Sequence, residues 1–366
     1  MPVVTGQITS FSVPENARDM STTFNLISLP NTPIFNAMAM PGSAVAVKRE
    51  WWDDVRMPIG TTTGASYTAA AGSITLASAD GVRVGTILQV ENSVYRVTAI
   101  NTSTKVATIA IVSGDANHAS GVKVIFAGMA KKEGNLFEDS DFTQKVKRYN
   151  MTQIFDDFIE VTGTQEAVNR EVSMGNFLAQ ESEKKLRRLY LMLARTVCNG
   201  VRVEPSDNTT PRLMGGLDWF IAQNGYNPAA AAFSADNFDA FLYELEQSYG
   251  QTATEAYMNP ADLKRFAALR ASQIVLNRED KARGEYVDRY ISGYGYNVKL
   301  MGDPTLPAGK IRVFKLDQLK LLPLQGRNMH AYPVAKAGDS TRYGIVGEYT
   351  MEFNASNTAG AFSISA

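Results

Sequence analysis

The residues best suited to chemistry are few, and each has a plain alternative reading. Paired carboxylates at Asp53-Asp54 and Asp156-Asp157 have the composition for a hard-cation site or for acid/base work. Neighbouring residues on a strand point to opposite faces, however, and neither pair sits in an alternating acidic loop, so solvated or salt-bridged carboxylates are expected. Glu138-Asp139-Ser140-Asp141 lacks the glycine and distal glutamate of a calcium loop and reads as surface acid. Cys198, the single cysteine, lies near the end of a helical pattern and is expected in the core rather than as a nucleophile. His118 and His330 are the only histidines and are both expected in surface loops. Gly215-Gly216 and Gly293-Tyr294-Gly295-Tyr296 lack the strand and helix setting of a phosphate loop and read as turns. No catalytic, cofactor-binding or metal-ligating residue is assigned, and no cofactor is expected.

Composition points the same way. The 366 residues carry 36 Lys+Arg against 37 Asp+Glu, a formal net charge of −1, which is a poor match to a chain that grips nucleic acid or anionic lipid. One cysteine excludes an intramolecular disulfide framework. The N-terminus has no basic start followed by an apolar run, so no secretory signal is read there. Met20 to Val47 has no charged residue, but Pro30, Pro33 and Pro41 break it. Too apolar for a solvated tail and too proline-rich for a helix, it is expected to be an extended arm lying against protein.

The elements that hold these residues follow from patterning. Thr61 to Met129 contains seven charged residues in 69 and no proline, whereas Lys131 to Glu160 contains twelve in 30. Within the first block, runs at 73–76, 85–90, 93–100, 105–111 and 123–126 alternate with turn-prone pieces, predicting an antiparallel sandwich or small barrel inserted in the chain. On its flanks, Val45 to Arg56 and Lys145 to Ile154 read as two long strands of a protruding hairpin. Lys48, Glu50, Asp54 and Arg56 fall on one side of the first strand, and Val45, Val47, Trp51 and Val55 on the other. The rings of Trp51 and Trp52 face opposite ways, and a thin hairpin has a single buried face. At least one ring is therefore free to meet something beyond its own sheet, as interface anchors do.

The strongest helix signal runs from Met174 to Asn199, with Ser173 as N-cap and Gly200 as the stop. Leu186, Leu189, Tyr190, Leu193 and Val197 form one apolar stripe. Lys184, Lys185, Arg187 and Arg188 follow Glu181 and Glu183, giving a solvated or subunit-facing side. A second helix is expected from Ser234 through Leu245, and Asn259-Pro260 caps and opens a third after a strand at Ala256 to Met258. Strands are expected at 297–301, 310–314 and 319–322. The last alternates Ile345, Gly347, Tyr349, Met351 and Phe353 with Val346, Glu348, Thr350 and Glu352. The whole is α+β.

In this order, the uncharged arm, charged hairpin, long helix and α+β remainder resemble the tailed-bacteriophage major capsid proteins of the Hong Kong 97-type fold. The local strings that carry the likeness are Ile154 to Gln165 before the long helix, Arg212-Leu213-Met214-Gly215-Gly216-Leu217 after it, and Met258-Asn259-Pro260. The resemblance implies an N-terminal arm at 1–47, an extended loop at 48–163 with the all-β insertion at 61–129, and a peripheral domain with its spine helix at 164–232. It further implies an axial domain at 233–322 and return strands at 323–366. It implies a non-enzymatic subunit that forms pentamers and hexamers of an icosahedral shell around double-stranded DNA, without sequence-specific DNA binding and without a membrane. A separate scaffolding protein, a portal and decoration proteins are the implied partners, the virion the location, and the host cytoplasm the place of assembly. Residues expected to touch neighbouring subunits are Trp51, Trp52, Asp54, Arg56, Lys145, Lys147, Arg148, Arg187 and Arg188. No Lys–Asn–acid set for covalent cross-linking is matched. Two other readings remain: an encapsulin-like compartment shell, and a carbohydrate- or cell-surface-binding protein using the β-module, whose aromatics are Tyr67, Tyr95 and Phe126.

Overall fold

Extended backbone carries N–H and C=O groups that need partners, and strand pairing supplies most of them here. The computed structural model describes residues 32–54, 58–130, 145–164, 177–207, 209–250, 254–267, 274–276, 287–335 and 338–365. The expected Ser173 cap, the Glu138–Asp141 loop and Arg56 lie outside these residues. The described chain divides into two compact units: residues 154–193 with 326–348, and residues 31–153 with 194–325 and 349–366. No described helix is long and apolar enough to cross a membrane.

In the first unit the strand Gln153–Thr162 pairs with the long strand Ser340–Phe353, which also carries His330–Val334 in the register His330↔Val346 to Val334↔Arg342. Period-two alternation buries Phe155, Ile159 and Val161 and exposes Ile154, Asp156, Phe158 and Glu160. The helix Phe177–Asn199 begins in this unit, where Leu189 and Leu193 of its predicted stripe are buried. Lys185 bonds Asp157 at 2.8 Å and so fixes the helix to the sheet. Burial works against the Asp157 carboxylate, but the Lys185 bond and the Phe158 N–H hold its pKa below the usual value. On the other sheet face Glu160 accepts from Arg342 at 2.7 Å and from Ser340 at 2.8 Å.

The second unit contains a six-stranded mixed sheet in the order 274–276, 287–291, 297–302, 255–258, 310–313, 360–363. Its core gathers Phe238, Phe241 and Leu242 of the helix Ala235–Glu244 with Phe266, Tyr290, Val298, Leu300 and Phe362. Ser234, where the helix was expected to start, caps it by accepting from the Asn237 N–H, and Asn259 caps Pro260–Ala267 by accepting from the Ala261 N–H, as predicted. The final strand is buried on both faces near its end. From Gly347 to Phe353 all seven residues are buried, Glu348, Thr350 and Glu352 among them. Arg49 and Lys320 neutralise Glu352 at 3.0 and 3.6 Å.

Arg312, on the strand Lys310–Val313, is fully buried. Its Nε and Nη2 bond the two oxygens of Asp218 at 2.6 and 2.7 Å, and Nη1 donates to the carbonyls of Pro307 and Lys310. Asp218 opens the helix Leu217–Asn224, so one guanidinium ties the sheet to that helix. The helix starts at Gly216 because nothing larger fits. A Cβ there would lie 2.6 Å from the Gly200 nitrogen and the Thr196 oxygen, so Gly216 serves close packing rather than a turn. Cys198 is buried beside Thr305, its Sγ 3.1 Å from Oγ1, and burial pushes its thiol up to about 12. It is the inert core residue expected.

Residues 60–129 form six antiparallel strands in the order 60–62, 123–129, 86–90, 93–101, 106–113, 73–75. The two outer strands also meet: Gly64 N–H donates to Thr75 O and Ala77 N–H to Thr62 O, each at 2.8 Å, which closes the sheet into a small barrel. Leu88, Val90, Tyr95, Val97, Ala107 and Val124 fill it. His118 corrects its expectation. It is 2% exposed, with Nε2 3.0 Å from the Tyr95 hydroxyl and Nδ1 2.9 Å from Glu91. The reversal arises because its segment crosses the barrel, where Tyr67 and His118 exchange backbone hydrogen bonds and their rings stack. Asp115 accepts from both Tyr67 and Tyr95 at 3.1 Å. His330 stays exposed, its Nδ1 2.7 Å from the Asn328 carbonyl.

Replacing Arg312 by Met strands a half-buried aspartate and is expected to cost about 3 kcal/mol in denaturant unfolding, most of it recovered by adding Asp218→Leu. Gly216→Ala forces backbone apart at the helix junction and should cost about 1–3 kcal/mol in the same assay.

Candidate functional site

The hairpin of charged and aromatic residues is the region the sequence singled out, and it forms a two-stranded ribbon. Lys48–Asp53 pairs antiparallel with Val146–Met151 in the register Lys48↔Met151 to Asp53↔Val146. Directly opposed residues share a face. Arg49, Trp51 and Asp53 therefore lie with Asn150, Arg148 and Val146 on one face, and Glu50 and Trp52 lie with Tyr149 and Lys147 on the other.

The first face is core. Trp51 is 6% exposed, and its ring lies 5.8 Å from Phe220, which also meets Phe353. Trp51 is thus removed from the expected contact set: a ring packed on its own chain is not available to a neighbour. Asn150 is fully buried and fully satisfied. Its Nδ2 donates to the carbonyls of Gly215 and Met351 at 3.0 and 2.8 Å, and its Oδ1 accepts from the N–H groups of Gly215 and Met151. It joins the ribbon to two distant segments, a role no local pattern announced. Arg148, expected outward, is half-buried on this face and bonds Asn224 through Nη1. Of the acidic pair, read as solvated or salt-bridged, Asp53 is buried with Arg148 at 3.9 Å and Asp54 is exposed.

The second face is open to solvent. Trp52 is 64% exposed and opposes Lys147, which pairs with Glu50 at 2.7 Å. Lys145 is exposed just before the returning strand. At the base of the same face, the Arg202 guanidinium lies between Tyr149 and Trp219, 3.8 and 4.2 Å from their ring centres, and burial pulls its pKa down. Lys48 sits over the other part of this cluster, 4.0 Å from the Tyr149 ring centre, and pairs with Glu204 at 2.8 Å. Away from the ribbon, Arg187 pairs with Glu183 one helical turn earlier, and Arg188 is largely exposed with Asp157 at 4.0 Å. The ribbon thus brings Trp52, Asp54, Lys145 and Lys147 to one exposed strip.

Nothing among the described residues builds a reaction centre. No group of three or more His, Cys, Asp or Glu is placed to hold a metal ion. Two clefts among the described residues are open to solvent. One of about 290 Å³ is lined by Arg195, Thr196, Asn199, Gly200, Pro304 and Thr305, another of about 300 Å³ by Thr254, Glu255, Lys315, Leu316 and Asp317. An exposed aromatic on a braced ribbon is chemistry for contact with another surface.

Comparison with solved structures finds the same fold in shells. The capsid of a native GTA particle aligns over 98% of this chain and 98% of its own, with a TM-score of 0.55 at 10% identity. Mycobacterium phage Bobi aligns over 99% and 100%, with a TM-score of 0.50 at 10% identity. Mycobacterium phage Adephagia aligns over 99% of both chains, with a TM-score of 0.50 at 8% identity. No curated protein matches in sequence. The fold is that of a phage capsid protein with mixed helices and strands, and the family model for the SU10 major capsid protein matches residues 3–364. The chain belongs to the SU10 major capsid protein family.

Proposed function

We propose that this phage major capsid protein uses the Hong Kong 97-type arrangement and assembles as pentamers and hexamers into an icosahedral shell enclosing the double-stranded DNA of a tailed bacteriophage. The observation that carries the reading is the family match over 3–364, together with a capsid fold likeness spanning 98% of the chain. In this reading residues 1–47 are the arm, 48–163 the extended loop with its inserted barrel, 164–232 and 323–366 the peripheral domain, and 233–322 the axial domain. The role is structural, not enzymatic. A scaffolding protein, a portal and decoration proteins complete the particle, which forms in the host cytoplasm.

The ribbon is the contact element. Trp52, Asp54, Lys145 and Lys147 are its outward residues. Arg56 belongs to the same set by sequence, and Arg187 and Arg188 form a second patch on the long helix. Arg148 takes part by holding the ribbon rather than by reaching a neighbour. Many modest contacts, each on the order of 800 Å² per partner, suit a closed shell because single errors can still dissociate. The barrel braces contacts between capsomers. Its ends lie side by side, with Phe126 N–H donating to Ile59 O at 2.9 Å, so it can stand on the ribbon without altering the strands below.

Purified protein examined by light scattering and negative-stain microscopy should give closed megadalton shells, or pentamers and hexamers that convert to them. A stable monomer in the presence of scaffolding protein would defeat the reading. Trp52→Ala should leave subunit unfolding unchanged while raising the concentration needed for shell formation by tenfold or more, about 1.4 kcal/mol per contact. Excising the barrel between Ile59 and Ala130 should yield a folded subunit whose shells dissociate at lower denaturant, and shells of unchanged stability would remove the bracing role.

A further inference from the structure

The inner face of the ribbon holds polar groups that are close but not joined. Asp53 is 5% exposed. Its Oδ1 accepts from the Ala355 N–H at 2.9 Å, but its Oδ2 has no hydrogen bond, and the Arg148 Nε stands 3.9 Å away. That Nε and the indole Nε1 of Trp51 are buried without hydrogen-bond partners too. Trp51 and Asp53 are two residues apart on one strand, and Arg148 is directly opposite Trp51, so all three project from the same face. Two donors and one acceptor are therefore enclosed together, near enough for Arg148 and Trp51 to favour the ionised carboxylate but not joined in well-formed hydrogen bonds.

The cause is a competing partner. Arg148 Nη1 donates to Asn224 Oδ1, and this bond holds the guanidinium back from Asp53. Elsewhere in the same unit the chain closes such pairs: Arg312 grips Asp218 at 2.6 and 2.7 Å, and Arg49 bonds Glu352 at 3.0 Å. The other charged group facing Asp53 is Glu352, which adds repulsion although Arg49 and Lys320 pair with it. An ionised carboxylate with an unmatched buried oxygen is a high-energy arrangement, relieved either by a proton or by movement of the arginine.

We propose that Asp53 is a proton-operated latch on the ribbon: when protonated it permits the arrangement seen here, and when ionised it draws Arg148 away from Asn224 into a direct pair, shifting the returning strand. Ionisation releases one proton from Oδ2 to solvent, and the bond Arg148 loses to Asn224 is replaced by bonds to Asp53. The inference does not depend on shell formation, since every group involved lies within one chain.

Burial raises the Asp53 pKa, while the Ala355 N–H, Arg148 and Trp51 oppose that rise without cancelling it. A raised folded value means that the folded state binds more protons than the unfolded one between the ordinary aspartate pKa and the folded pKa. Stability therefore falls as pH rises through that window, and acidification restores it. Denaturant unfolding of the full-length subunit should show Asp53→Asn to be more stable than the wild type at pH 7, with an unfolding constant about three- to tenfold lower, and the gap should close by about pH 4. Asn224→Ala frees Arg148 to close on Asp53 and should abolish the same pH dependence with the carboxylate still present. An Asp53→Asn subunit less stable than wild type at pH 7, or a gap independent of pH, would overturn the latch. Retention of the full pH dependence in Asn224→Ala would also overturn it, because Arg148 would then not be the competing partner.

Discussion

The larger unit depends on a wholly buried guanidinium. Arg312 lies in the mixed sheet, beneath the helix Leu217–Asn224, and its bidentate bond to Asp218 sets where that helix rests. From there the chain of contacts is short. Phe220 of the helix meets Trp51 of the ribbon and Phe353 of the last long strand, and Asn224 at its end bonds Arg148 and Ser356. A buried pair of this kind adds little net stability relative to apolar packing, but it tolerates few alternative placements, so its contribution is to geometry. The ribbon is therefore positioned by a residue more than 150 positions away in sequence.

The two faces of the ribbon have different chemistry. Its inner face is made of core residues, and Asn150 there meets four backbone groups. Its outer face carries Trp52 and a Glu50–Lys147 pair in solvent. A rigid inner face reduces the ordering cost that an exposed aromatic would otherwise incur on binding. The barrel follows a different economy. With few charges and a closed hydrogen-bond network, it needs little from the rest of the chain and leaves and returns at adjacent residues.

Much was legible in the sequence because local chemistry decided it. Barrel strands at 86–90, 93–101 and 106–113 follow from alternation between turn residues, and the helix ends at Ser234 and Asn259 follow from side chains that can accept a backbone N–H. The two faces of the first ribbon strand were also legible, since a period of two fixes them once the strand is known, but the inward placement of Arg148 on the returning strand was not. The layout along the chain supported the capsid likeness that the family match bears out.

The failures have one cause. His118 was expected at the surface and is buried, burial of Asp53, Glu348 and Glu352 was not foreseen, and Gly216 was read as a turn although it serves close helix packing. Each is decided by a partner far along the chain: Ala355 for Asp53, Arg327 for Glu348, Arg49 for Glu352, Tyr95 for His118 and Gly200 for Gly216. The sequence by itself determined which segments are strands or helices and which face of each is apolar, because propensity, capping and periodicity act within a few residues. Only the tertiary structure decided which polar groups go inside, because burying one is tolerable only when a matching group arrives from elsewhere, and no local spacing encodes that arrival.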